Sequence, residues 1–314
     1  MKKTLIAASM LVMMSTTAMA ENIGVSMALF DDNFLTVLRN GIDDLANAKE
    51  GVDVQIEDAQ NDVAKQLDQI NNFIASGVDA IIVNPVDTSA TQAMTDAAAA
   101  AKVPLVYVNR QPTNVDTLPD NQAFVASNEI ESGTLETFEI CKMLRAAGKG
   151  GGARAYVMMG ELSNQAAVQR TKDVHDVLGT DMCKFITIID EQTANWSRNE
   201  AQDLMTNWLS TGEKFDAVIT NNDEMAIGAI QAMKAANIKM SDVVVGGVDA
   251  TQDALVSMAR GDLDVTVFQN AAGQGAGALD AALKLAAGEK VDQKVYIPFE
   301  LVTPANIKDY YSKN

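Results

Sequence analysis

"FDAVITNNDEMAIGAIQAMKAA", Phe215 to Ala236, holds an apolar run, four polar residues and a helical pattern in direct succession. The run "FDAVIT" is short, β-rich and unbroken, as in a strand buried on both faces. The stretch after it spaces its apolar residues as a helix does. Asn221, Asn222, Asp223 and Glu224 fall at the junction, where a single residue would cap the helix and acids suit the positive end of its dipole.

The same alternation fills the chain. Strand candidates are "NIGVSMAL", "VDVQIED", "DAIIVNP", "PLVYVN", "AFVAS", "RAYVMMG", "KFITIID", "FDAVIT", "DVVVGGVD", "DVTVFQ" and "VYIPFELV". Helical patterns such as "NFLTVLRNGIDDLANAK" lie between most of them. Strand and helix in turn predict right-handed βαβ units on parallel sheets covered on both faces. The strands exceed one small sheet, so the expected fold class is α/β with two similar doubly wound parallel-sheet lobes.

The halves also echo each other. "NNFIASGVDAIIVNPVDTSATQAMTDAAAAAKVPLVYVNR" matches the order of "TNWLSTGEKFDAVITNNDEMAIGAIQAMKAANIKMSDVVVGGVD". Asn84 thus corresponds to the Asn221-Asn222 pair, and Asn109 to Asp249. Ligands of open parallel sheets bind beyond the carboxyl ends of the strands, and there the polar residues gather. The first half offers Asp31, Asp32, Phe34, Asn84, Asn109 and Arg110; the second offers Arg170, Trp196, Asn222, Asp249 and Gln269. Any one could be a cap or turn residue. Two matching sets favour binding.

The missing chemistry narrows the function. His175 is the only histidine and sits in a helical pattern, which reads as surface or packing. Histidine-based triads and the usual histidine metal sites go with it. There is no HExxH, no GxxxxGK[ST] and no paired CxxC, so neither metal nor cofactor is expected. Gly273, Gly275 and Gly277 make GxGxG, not the dinucleotide spacing, and fit a helix packed closely on a sheet. Trp208, at a helical position, reads as core. Acids, amides and arginine forks match hydroxyl groups, and Phe34 and Trp196 can cover apolar C–H faces, which suits a neutral polyol.

"MKKTLIAASMLVMMSTTAMA" has the basic, apolar and small-residue regions of a secretory signal, with cleavage expected before Glu21. Its apolar run is too short for a membrane span. The chain has 24 basic residues, two of them in that leader, against 42 acidic ones. Such a field repels phosphates, so nucleic acid and anionic membrane surfaces are poor partners. Cys141 and Cys183, the only cysteines, suit one disulfide or two buried thiols equally.

The leader, "DDNFLTVLRNG", "DAIIVNPVD", "PLVYVNRQP", "NNDEMAIGAIQAM" and "VVVGGVDAT" together resemble the ribose-binding-protein branch of periplasmic sugar-binding proteins. The likeness covers essentially the whole chain after Ala20 and is nearest to inositol- and rhizopine-binding members. It implies two lobes joined by a three-strand hinge, with crossings near Ser127, Asn270 and Pro298. The N-terminal lobe would hold 21–127 and 270–298; the C-terminal lobe would hold 128–269 and 299–314. It further implies a pocket of Asp32, Phe34, Asn84, Asn109, Arg110, Arg170, Trp196, Asn222, Asp249 and Gln269. Asp32 stands where the family has asparagine and Leu35 where it has a second aromatic, departures that favour a more hydroxylated ring or an amine over ribose. The implied partners are a sugar or cyclitol, an ABC permease in the inner membrane and, alternatively, a chemoreceptor. Binding without turnover is expected; the rival is an exported sugar-processing enzyme with Asp32 and Asp249 as acid and base.

Overall fold

A computed structural model describes residues 20–314. The leader expected over residues 1–20 lies, but for Ala20, outside the described residues. From the start of that range run β1 (Glu21–Met27), α1 (Asn33–Ala48), β2 (Val52–Asp58), α2 (Val63–Ser76), β3 (Ala80–Val83), α3 (Thr91–Ala101), β4 (Leu105–Val108) and β5 (Gln122–Ala126). There follow α4 (Glu129–Ala146), β6 (Ala153–Met159), α5 (Gln165–Leu178), β7 (Ile186–Thr193), α6 (Arg198–Ser210), β8 (Ala217–Thr220), α7 (Asp223–Ala235), β9 (Val244–Gly246), α8 (Gln252–Ala259) and β10 (Thr266–Phe268). The chain returns with α9 (Ala271–Ala286), β11 (Lys294–Tyr296) and β12 (Glu300–Val302).

The first sheet has strand order β11-β5-β4-β3-β1-β2, and the second has β7-β6-β8-β9. All pairings in both are parallel. Every residue of β3, β4, β5 and β8 is buried, because helices cover both faces and leave no side for water. In the first lobe α1 and α9 supply one apolar layer and α2 and α3 the other. In the second, α6, α7 and α8 face α4 and α5 across the sheet. Trp208 is core, as its helical position predicts, stacked on Tyr156 with ring centroids 4.3 Å apart.

Among the described residues the chain passes between lobes three times: between β5 and α4, between β10 and α9, and between β11 and β12. The run "VYIPFELV", read as one strand, is therefore two. β11 joins the first sheet, while β12 pairs antiparallel with β10. Pro298 lies between them and has no N–H for either ladder.

Gly275 faces α1, where an added Cβ would stand 2.2 Å from the Leu38 carbonyl oxygen, and Gly277 faces Val125 of β5. The GxGxG stretch thus lets α9 approach both a helix and the sheet. Cys141 and Cys183 are joined, their Cα atoms 5.7 Å apart, which decides between the two cysteine readings. The bridge ties α4 to the segment between α5 and β7. His175 is exposed and meets the Glu191 carboxylate at 2.8 Å. Among the described residues no helix is long and apolar enough to cross a membrane.

Candidate ligand-binding cleft

The carboxyl ends of both sheets face one cleft, and the lobes touch across it. The Thr88 hydroxyl donates to the Ser163 carbonyl at 2.9 Å, Asn61 Nδ2 to Glu161 at 3.2 Å, and Asn33 Nδ2 to Glu224 at 2.8 Å. Behind these contacts lies a cavity of about 410 Å³, its opening included. It is lined by Asp32, Phe34, Leu35, Asn109 and Arg110 from the first lobe. Asn164, Ala166, Arg170, Trp196, Asn222, Asp249 and Gln269 line it from the second. Nine of the ten residues expected at the site are therefore together.

Asn84 is the tenth, and it stands behind the wall. It is fully buried, donates to the Val108 carbonyl and to Asn109 Oδ1, both at 3.3 Å, and accepts from the Ala28 N–H at 3.4 Å. Asn221 makes the corresponding bond in the second lobe, its Oδ1 accepting from the Gly160 N–H at 3.0 Å. Asn84 and Asn221 each directly follow a strand, β3 and β8, and each holds the end of the neighbouring strand. The sequence correspondence paired Asn84 with Asn221 and Asn222 together; of the two, Asn221 is the structural counterpart.

The four polar residues at the head of α7 have four separate tasks. Besides holding Gly160, Asn221 takes a bond from Thr171 through Oδ1 and one from Arg170 through its carbonyl. Asn222 caps the helix, its Oδ1 accepting from the Met225 N–H at 3.0 Å, and its Nδ2 has only a 3.4 Å contact to the Trp196 carbonyl. Asp223 accepts from the Thr251 N–H and the Thr266 hydroxyl, joining α7 to the segments around β10. Glu224 takes both nitrogens of a two-point Arg198 fork and reaches Asn33 across the cleft. One residue thus both caps and lines the cavity.

On the first-lobe wall Asp32 caps α1, its Oδ1 accepting from the Leu35 N–H at 2.7 Å. Loss of water pushes its carboxyl above the usual range, against the pull of that N–H and of Arg110. Arg110 donates to the Pro85 carbonyl at 3.0 Å. Burial lowers its pKa, and Glu161 and Asp32 resist the shift. Asn109 adopts φ 67°, a left-handed geometry that asparagine tolerates, and donates to Gln274 Oε1 at 3.2 Å.

On the second-lobe wall Arg170 is held by Glu129 through Nε at 2.7 Å and Nη2 at 3.0 Å. It also donates to the Asn221 carbonyl at 2.7 Å and to Gln269 Oε1 at 3.1 Å. Burial works against its charge, but Glu129, Asp249 and Glu136 together more than offset this, and the pKa is raised. Asp249 lies 4.0 Å from Arg170 Nη1. Burial drives its carboxyl well above the ordinary value; Arg170 opposes the shift, and Asp223, Asp32 and Glu129 reinforce it. Trp196 lies flat over Gly160, where a Cβ would come within 2.3 Å of three ring carbons, so only glycine fits beneath it. Gln269 Nε2, Asn164 Oδ1 and Trp196 Nε1 are buried without a partner among the described residues.

Sequence reading missed Asn164, Ala166 and Glu129. Asn164 stands just ahead of α5, a position the repeat could have flagged, since Asp32, Asn222 and Thr251 stand at the same place ahead of α1, α7 and α8. Glu129 gave no local signal; its partner is 41 positions away. Among the described residues no group of three or more His, Cys, Asp or Glu side chains is placed to hold a metal ion.

Two lobes with a polar cavity between them define a class that the comparisons identify. The chain belongs to the periplasmic binding protein domain family, whose profile matches residues 23–290. A Rhizobium meliloti protein, provisionally named as rhizopine-binding, is 65% identical over 314 residues, the whole of both chains. A solute-binding protein of an ABC transporter from Bacillus halodurans, solved with bound myo-inositol, is 39% identical with a TM-score of 0.87, over 96% of this chain and 100% of the other. The Caulobacter myo-inositol binding protein, also bound to myo-inositol, is 28% identical with a TM-score of 0.82, over 92% and 95%.

Proposed function

We propose that the chain is an exported solute-binding protein that encloses one polyhydroxylated ring between its lobes and delivers it to an ABC importer. A cyclitol fits best, myo-inositol or an amino derivative, ahead of a monosaccharide. The observation that carries this reading is the interlobe cavity, where Gln269 Nε2 and Asn164 Oδ1 are buried with no partner among the described residues. A buried polar atom left unpaired costs about 1–3 kcal/mol, a penalty that ligand hydroxyls would remove. In this reading Asp32 and Asp249 accept from hydroxyls. Asn109, Asn222, Arg110, Arg170 and Gln269 donate, and Phe34 and Trp196 cover the ring faces. Asn84 acts only by holding Asn109. The two inositol-bound relatives support the ligand class.

The binder releases the molecule it took up unchanged, from the periplasm, to a permease in the inner membrane. A thermal-shift screen tests the reading, because saturation at 100 times Kd adds about 2.7 kcal/mol of stability. Myo-inositol or an inosamine should raise Tm most, above D-ribose, hexoses and alditols, and chromatography should recover the ligand intact. No shift with any cyclitol, or a changed product, would overturn it.

A further inference from the structure

Asn314 reaches back into the seam between the lobes. Its Nδ2 donates to the Asp249 carbonyl at 2.8 Å and to the Gln269 carbonyl at 2.7 Å. Both of those residues line the cavity. Its Oδ1 accepts from the Ala271 N–H at 3.2 Å. Ala271 opens α9, which packs in the first lobe, whereas Asp249 and Gln269 belong to the second. A single carboxamide therefore bridges the β10–α9 crossing.

The groups it holds are short of other support. Asp249 sits at φ 123°, a backbone geometry that L-residues rarely adopt and that persists only where the surroundings over-determine it. Apart from Asn314, its carbonyl takes one long bond, 3.3 Å from the Gln269 N–H. The Ala271 N–H is one of the free donors of the first turn of α9, and the capping oxygen of Asn270 is already engaged with Gly273 at 2.8 Å.

We propose that Asn314 is a positioning residue for the binding site, setting the backbone of Asp249 and Gln269 and fastening it to the first turn of α9. It acts through those residues and does not touch the ligand. Both amide hydrogens are used at once, so no acceptor-only side chain can replace it.

The affinity part of the test rests on the proposed cyclitol binding, and hydrogen exchange of the ligand-free protein makes it separable. The variants are Asn314→Asp, which keeps shape and acceptor but loses both donors, and Asn314→Ala. The control is Gln252→Ala, since Gln252 touches only the main-chain oxygen of Asn314. With myo-inositol as probe, both variants should bind roughly tenfold more weakly, chiefly through faster release, with Asn314→Asp no better than Asn314→Ala. The control should stay within about twofold. Without ligand, amide exchange over residues 268–272 should quicken in both variants and not across the chain. Wild-type affinity and exchange in Asn314→Asp would reduce Asn314 to space filling and overturn the proposal. So would faster exchange spread evenly over both lobes. If the wild type does not bind myo-inositol, the functional reading fails and the exchange result alone decides this one.

Discussion

On the second-lobe wall of the cleft, Arg170 has donors committed to Glu129 twice, to Asn221 and to Gln269. On the first-lobe wall, Asp32 holds one main-chain N–H through one oxygen, and the Asn109 side chain bonds to those of Asn84 and Gln274. The second wall also backs onto buried acids, Glu129, Glu136, Asp173 and Asp223. One wall is thus a charged network hydrogen-bonded within its own lobe, and the other presents a lighter set of groups to it. The contacts from Thr88, Asn61 and Asn33 join them at the rim. Preorganisation on one side and closure from the other is the division expected of a hinge-closing binder.

Breaking the second-lobe network should have the largest effect. Arg170→Ala leaves Glu129 buried without its partner, and losing one member of a buried pair costs about 3–5 kcal/mol. The variant should lose that stability in urea titrations of the ligand-free protein, besides losing affinity. Asp249→Asn keeps the shape and removes a carboxylate that burial already disfavours. Affinity should fall by about 2–4 kcal/mol in calorimetry while the ligand-free Tm holds or rises. An equal loss of stability in both variants would erase the contrast between the fixed network and the ligand-facing acid.

The same wall should respond to pH. Glu136 is raised to about 8 by burial, and Asp223 and Asp173 to about 7, also by burial first. A carboxyl whose pKa is higher in the folded chain than in the unfolded one stabilises the fold fully at pH below its unfolded value. That contribution is lost as pH rises through the folded value. Stability should therefore decline between about pH 4.5 and 8. Glu136→Gln should flatten the decline and add about 1–3 kcal/mol at neutral pH. A decline unchanged in slope would remove Glu136 from the account.

Smallest of the set is Asn222→Asp. Aspartate caps α7 as well as asparagine does, so the Tm of the ligand-free protein should barely move. The variant loses the amide donor facing the cavity, and affinity should drop by about tenfold in the same titration. Unchanged affinity would return Asn222 to capping alone.

Much of this was legible in the chain. Alternating strands and helices gave the α/β fold, because parallel strands covered on both faces must be unbroken apolar runs. The internal echo located the strand ends where the cleft opens. Legibility failed where one residue of register decides which way a side chain points. Asn84 and Asn221 follow their strands at once and turn inward to hold a neighbour, whereas Asn222, one step on, reaches the cavity. The hinge strands were blurred for a related reason: Pro298 splits one apolar run between two sheets. Long-range partners such as Glu129 and Asn314 left no local trace, since their meaning lies in residues tens of positions away.

In the proposed function one ring is held between the walls and touches both. Titrating myo-inositol calorimetrically into the wild type, Asp32→Asn and Asp249→Asn tests it in one experiment. The wild type should show one site per chain, and both variants, one altered on each wall, should bind more weakly. Saturable binding untouched by either substitution, or no binding of any cyclitol, would contradict it.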